Sequence, residues 1–135
     1  MADKTLQIEI VTPTRKVFSG TAKSVVAPGI EGYFGVLPRH APLLAMIDIG
    51  EVTIKSGPGD EQIFATAGGF AEVSSDKMII LSEAAESADE IDLDRARTAK
   101  ERAEKRLQEG RENWDVARAR TALSRAINRI QIAGK

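Results

Sequence analysis

Six arginines are the residues of this chain best placed to do chemistry. They fall in two stretches, Ala99 to Leu107 (AKERAEKRL) and Ala122 to Ile130 (ALSRAINRI), which share the pattern Ala-x-x-Arg-Ala-x-x-Arg-aliphatic. The match reaches upstream, since Arg95 precedes Arg102 by the interval at which Arg118 precedes Arg125. On a helix, residues three, four and seven apart share a face. Arg95, Arg102 and Arg106 therefore line one side of a first helix, and Arg118, Arg125 and Arg129 one side of a second. Each directly precedes an apolar stripe residue: Ala96, Ala103 and Leu107 in the first, Ala119, Ala126 and Ile130 in the second. Each cationic row thus lies beside a packing seam, about 100° around its helix. Guanidinium groups pair bidentately with phosphate and carboxylate oxygens. If the helices fold back on each other, the two rows repel unless an anion occupies the groove or the hairpin opens.

Solvated helices held by i,i+4 ion pairs carry similar sequences, and Glu101 to Lys105 is such a pair. Glu104 and Glu109 screen the first row, whereas the second has only Glu112 and Asp115 near it. Other chemistry finds little support. There is no nucleophile-base-acid grouping and no cysteine, and the lone histidine, His40, reads as a turn-stabilising side chain rather than a catalyst. The glycines at 57, 59, 68 and 69 lack the Gly-Lys-Ser/Thr ending of a phosphate-cradling loop. Gly68-Gly69 suits a bend or close backbone packing, and Trp114 a staple that closes the loop between the helices. A nucleic-acid-binding module would rest on the arginine rows alone, against a net charge of -1 and a single Trp and Tyr.

Two kinds of element must position these residues. The first 87 residues hold seven bases and eleven acids, a net -4, while the rest carry +3, so the chain has two parts with different partners. From Leu6 to about Ala85, short alternating strands are separated by turn signals, as in an antiparallel β-sandwich or flattened barrel. The expected strands are Leu6–Ile10, Lys16–Gly20 (a short strand or a turn), Ala22–Ala27 ended by Pro28-Gly29, Gly32–Val36, Leu43–Ile49 ended by Gly50, Glu51–Lys55, Gln62–Thr66, Ala71–Val73 and Lys77–Leu81. The period then changes to that of a helix. Asp89, Asp92 and Asp94 suit its first turn, Gly110 its end, and Asn113 or Asp115 the cap of a second helix reaching about Ala133. The short link makes these an antiparallel two-helix hairpin. The division is expected at 1–86 and 87–135. No apolar run approaches the ~20 residues of a transmembrane helix, and MADKTLQIEI lacks the apolar core of a leader.

At GYFGVLPRHAPLLAMIDIGEVTI, Gly32 to Ile54, the sequence resembles the epsilon subunit of bacterial and plastid F-type ATP synthases. The core Gly-x-Phe-Gly-Val-Leu-Pro-x-His-Ala-Pro-Leu carries the likeness, GGFAEV follows downstream, and the resemblance covers essentially the whole chain. It implies a non-catalytic rotor-stalk subunit that couples proton flow to ATP synthesis. The sandwich would contact the gamma subunit and the c-ring. The extended hairpin would reach acidic segments of the alpha and beta subunits and block ATP hydrolysis. The chain would be peripheral to the membrane, on the cytoplasmic face of a bacterial cell or, secondarily, the stromal face of a thylakoid. Ile91-Asp92-Leu93-Asp94-Arg95-Ala96 also matches the family's ATP-binding pattern Ile/Leu-Asp-x-x-Arg-Ala. The resemblance therefore implies Ile91, Asp92, Arg95 and Ala96 as ATP contacts, with Arg102, Arg125 and Arg129 on the phosphates and Arg106 as a neighbour. ATP would be a regulatory ligand, not turned over, with Mg²⁺ left open. Asp94 places a negative charge beside that polyanion. The alternative is a purely structural rotor subunit that binds no nucleotide.

Overall fold

The computed structural model describes residues 4–135, and the first three residues of the MADKTLQIEI reading lie outside them. The chain divides between Ser87 and Ala88 into a strand unit and a helical unit.

The strand unit is one eight-stranded sheet. Its strands are β1 (Leu6–Val11), β2 (Lys16–Ala22), β3 (Ser24–Gly29), β4 (Gly32–Val36), β5 (Leu43–Gly57), β6 (Asp60–Ser74), β7 (Lys77–Ser82) and β8 (Ala85–Ser87). They run in the order β2-β1-β7-β6-β5-β3-β4, with β8 paired to β6. All ladders are antiparallel except β1 with β7, where Ile8 faces Met78 and Ile10 faces Ile80 in parallel register. Alternation in sequence becomes alternation in burial. Leu6, Ile8 and Ile10 of β1 point into the core while Gln7 is exposed and Glu9 half-buried. Val25, Val36, Ile54, Met78 and Ile80 complete a core with no solvent exposure. Burying each such side chain is worth about 1.5–3 kcal/mol.

Pro28 and Gly29 are the last two residues of β3, opposite Tyr33 and Gly32 of β4, so the strand ends there as expected. β3 lies between β4 and β5, and its register with β5 shifts between Val26 and Gly29, so the missing Pro28 N–H falls at an irregularity of the ladder. Two other expected breaks are not breaks. Gly50 does not end a strand; β5 runs through it for 15 residues. A Cβ there would stand 2.6 Å from Pro28 Cβ and 2.8 Å from the Tyr33 hydroxyl, so close approach of the next strand, not a turn, demands the glycine. Gly68-Gly69 likewise sits within the single strand β6, where the partner changes from β8, at Phe64–Thr66, to β7, at Gly69–Ser74. Gly69 has φ 140°, and a Cβ on it would fall 1.9 Å from the Leu81 carbonyl oxygen. Ser82 Oγ secures the same corner by donating to the Gly68 and Ala84 carbonyls at 2.8 and 2.7 Å. β8 is a strand beyond Lys77–Leu81, the last strand expected from the sequence.

The helical unit opens with a 3₁₀ turn, Ala88–Glu90, followed by α1 (Leu93–Glu109) and α2 (Val116–Ile132), which pack on each other. Asp92 caps α1, its carboxylate accepting the Arg95 N–H at 3.1 Å; Asp115 caps α2, accepting the Arg118 N–H at the same distance. Gly110 follows α1 at φ 77°, a left-handed conformation that glycine adopts without a Cβ penalty. Ala96, Ala103, Ala119 and Ala126 are all buried, the small-residue stripes expected on the facing sides. Gly134 N–H donates to the Ala88 carbonyl at 3.1 Å, tying the chain beyond α2 to the start of the unit.

Candidate functional site: a cationic groove in the helical hairpin

The caps, arginines and packing alanines of the hairpin repeat at an offset of 23 residues. Asp92 recurs as Asp115, Arg95 as Arg118, Ala96 as Ala119, Arg102 as Arg125, Ala103 as Ala126 and Arg106 as Arg129. Because the helices run antiparallel, equivalent residues are not brought together. Arg129, near the end of α2, lies level with the start of α1, and Arg118, at the start of α2, lies level with the end of α1.

That geometry divides the six arginines. Arg95, Thr98, Ala99 and Arg102 from α1 line a solvent-open groove of about 330 Å³ together with Arg129 from α2. Asp94 also lines it and forms an exposed pair with Arg97 at 3.9 Å. Arg95 and Arg102 are exposed, while Arg129 is half-buried. Three guanidinium groups against one carboxylate leave the groove cationic. Arg125 is half-buried with its Nε atom out of solvent, and it does not line this groove. Arg118 is exposed at the far end of the hairpin. Arg106 is turned elsewhere: its guanidinium carbon stands 4.4 Å from the centre of the Trp114 ring. The full set of six seen in the sequence thus resolves into a convergent three and a dispersed three. Helical spacing fixes the face of each residue but not its level along an antiparallel pair.

The remaining site residues occupy the head of α1. Asp92 is exposed and uses one carboxylate oxygen as the helix cap. Ile91 is 9% exposed and Ala96 is wholly buried, so in this conformation both serve packing more than an open surface. The sequence reading of a Glu101–Lys105 ion pair is not met. Both side chains are exposed and make no ion pair among the described residues. An exposed i,i+4 attraction of a few tenths of a kcal/mol barely offsets the entropy of fixing two long side chains. Trp114 does act as a loop staple: its indole N–H donates to the Glu109 carboxylate. His40 belongs to a turn, with its N–H on the Leu37 carbonyl at 3.1 Å and Nδ1 beside the Ala41 carbonyl at 2.6 Å.

The strand unit has a different kind of surface. Ile30, Tyr33, Leu44 and Met46 are 51–71% exposed and border an apolar groove of about 500 Å³ between the β3–β4 turn and the first half of β5. Phe70 and Leu81 are about half exposed nearby in the sheet, on paired positions of β6 and β7. Contiguous exposed apolar surface of this kind marks a contact region. Sequence reading did not find it, because the same alternation that buries Ile47 exposes Leu44 and Met46.

Comparison with known proteins follows the same division. Residues 5–88 match the ATP synthase delta/epsilon chain β-sandwich domain, and residues 89–134 match the long α-helix domain of that family. The chain is 50% identical over 104 residues to the ATP synthase epsilon chain of Moorella thermoacetica, covering 77% of this chain and 78% of that one. It is 49% identical over 110 residues to the epsilon chain of Nitratidesulfovibrio vulgaris, covering 82% and 81%. In fold it is similar to a chain in the mitochondrial ATP synthase of Euglena gracilis, with a TM-score of 0.77 at 20% identity, covering 89% of this chain and 76% of the other. With both units matched in order, and about half of the aligned residues shared with bacterial epsilon chains, the chain belongs to the delta/epsilon family of ATP synthase subunits, as an F-type epsilon chain.

Proposed function

We propose that this non-catalytic rotor-stalk subunit uses its hairpin as a nucleotide-responsive brake. Folded back, the hairpin binds ATP without hydrolysing it; extended, it lies along the gamma subunit toward the catalytic alpha and beta subunits and blocks ATP hydrolysis. The observation that carries this reading is the convergence of Arg95, Arg102 and Arg129, from both helices, on one groove. Three guanidinium groups on one groove offer forked donors for a triphosphate, and each charged hydrogen bond is worth about 1.5–3 kcal/mol. The bound anion replaces mutual repulsion with attraction, so it favours the folded hairpin over any form that separates the helices.

The other residues take roles consistent with their positions. Asp92, exposed at the head of α1, accepts from the adenine amino group with the carboxylate oxygen not used in capping. Ile91 offers the edge of an apolar wall, and Ala96 lets α2 approach closely enough for Arg129 to share the groove. Arg125 supports the phosphate end from its half-buried position. Asp94 lowers affinity, and its pairing with Arg97 moderates that effect. In the extended form the basic second helix, led by the exposed Arg118 and Arg120, meets carboxylates of the alpha and beta subunits.

The strand unit docks on the gamma subunit and the c-ring through its apolar face around Tyr33, Leu44 and Met46, transmitting rotation driven by proton flow. No helix among the described residues is long and apolar enough to cross a membrane. The proposed placement is peripheral, on the cytoplasmic face of a bacterial cell membrane, held by these subunit contacts.

ATP hydrolysis by the assembled complex tests the brake. Complexes carrying the full chain are expected to hydrolyse slowly at low ATP and to be released as ATP rises, while complexes with Arg102→Ala/Arg129→Ala stay inhibited at high ATP. Equal rates with the full chain and with a chain ending at Ser87, at every ATP concentration, would favour the purely structural subunit.

A further inference from the structure

The 23-residue repeat places an apolar residue before each helix cap, Ile91 before Asp92 and Trp114 before Asp115. The first is buried, but Trp114 stays 39% exposed and grips α1 instead. The guanidinium of Arg106 lies over its ring at 4.4 Å, and its indole N–H donates to Glu109. Both partners belong to the last turn of α1. The backbone joins in: Trp114 N–H donates to the Gly110 carbonyl at 3.1 Å, and Gly110 N–H to the Arg106 carbonyl at 3.2 Å. One indole thus binds the beginning of α2 to the end of α1.

Arg129 lines the cationic groove at the start of α1, whereas its repeat partner Arg106 sits in the last turn of α1, where its guanidinium lies on the indole. Neither indole contact can survive if the two helices merge into one rod. Residues eight apart on a continuous helix are separated by about 12 Å along the axis, which parts Arg106 from Trp114. Residues five apart point about 140° away from each other, which parts Glu109 from Trp114. Gly110 would also have to leave φ 77° for a right-handed helical conformation, a change that glycine permits.

We propose that Trp114, Arg106 and Glu109 form a latch at the hairpin tip that exists only in the folded-back form, holds it without any ligand, and must release before the hairpin extends. The final clause rests on the brake described above; the latch itself does not. It gives the folded state a ligand-independent stabilisation to which nucleotide binding adds.

Trp114 is the only tryptophan in the chain, so its fluorescence reports the latch directly. The full chain is measured without nucleotide, by acrylamide quenching of the indole and by amide hydrogen exchange. Arg106→Ala is expected to increase quenching and to speed exchange across 110–132 by about threefold, the loss of one exposed cation–π contact, with exchange in the strands unchanged. Glu109→Ala removes the indole acceptor without touching Arg106 and is expected to act in the same direction. Unchanged quenching and exchange in both variants would overturn the latch. Because no ATP is present, a chain that fails to bind nucleotide can still show the latch, and the two readings fail separately.

Discussion

At the scale of single residues, the arginines differ in what they can do although their sequence surroundings are alike. Arg102 and Arg129 face a common groove from opposite helices, and Arg118, equivalent to Arg95 in the repeat, faces solvent at the other end. Removing one forked donor from a bound triphosphate costs about 1.5–3 kcal/mol, roughly a tenfold to hundredfold loss of affinity. Arg102→Ala and Arg129→Ala are each expected to show that loss by calorimetric titration with ATP, and Arg118→Ala to bind as the parent does. The sequence made the two rows visible through their spacing. It did not show which members converge, since that depends on how far apart the helices' equivalent residues lie once the chain has turned. Nor did it show Arg106 lying over Trp114, because a contact across the tip depends on the loop conformation around Gly110.

At the scale of elements, the hairpin depends on alanine. Ala96, Ala103, Ala119 and Ala126 are buried at seven-residue intervals, so the helices approach closely and bury little area per residue. Overpacking such a seam costs about 1–3 kcal/mol. Ala103→Leu is therefore expected to speed amide exchange throughout α1 and α2 and to leave the strands as protected as before. In the sheet the sensitive point is the corner of β6. Gly69→Ala would place a Cβ 1.9 Å from the Leu81 carbonyl oxygen, and backbone on both sides cannot yield cheaply. Loss of cooperative unfolding of the strand unit, followed by circular dichroism, is the expected outcome. Strand positions were legible from alternation, and helix ends from Asp92, Gly110 and Asp115. The continuity of β5 and β6 was not. Glycine signals both turns and close approaches, and only the partner strand, carrying Pro28, Tyr33 or Leu81, distinguishes them.

At the scale of the whole molecule, two units with separate cores and opposite net charge are joined between Ser87 and Ala88. The strand unit owns a contiguous core built from Ile8, Val25, Val36, Ile54, Met78 and Ile80. A chain ending at Ser87 is expected to keep the unfolding transition of that unit and to lose all response to ATP. The change from strands to helices near residue 87 was legible from the shift in charge and period. The apolar face around Tyr33, Leu44 and Met46 was not, because exposed and buried members of an alternating strand look the same until a partner sheet is in place.

The most direct test is isothermal titration of the full chain with ATP at low and high ionic strength. Saturable binding of one nucleotide per chain is expected, weakened by salt as screened charges require, and abolished in Arg102→Ala/Arg129→Ala. No heat of binding at millimolar ATP, or undiminished binding by that double variant, would contradict the cationic groove as a nucleotide site.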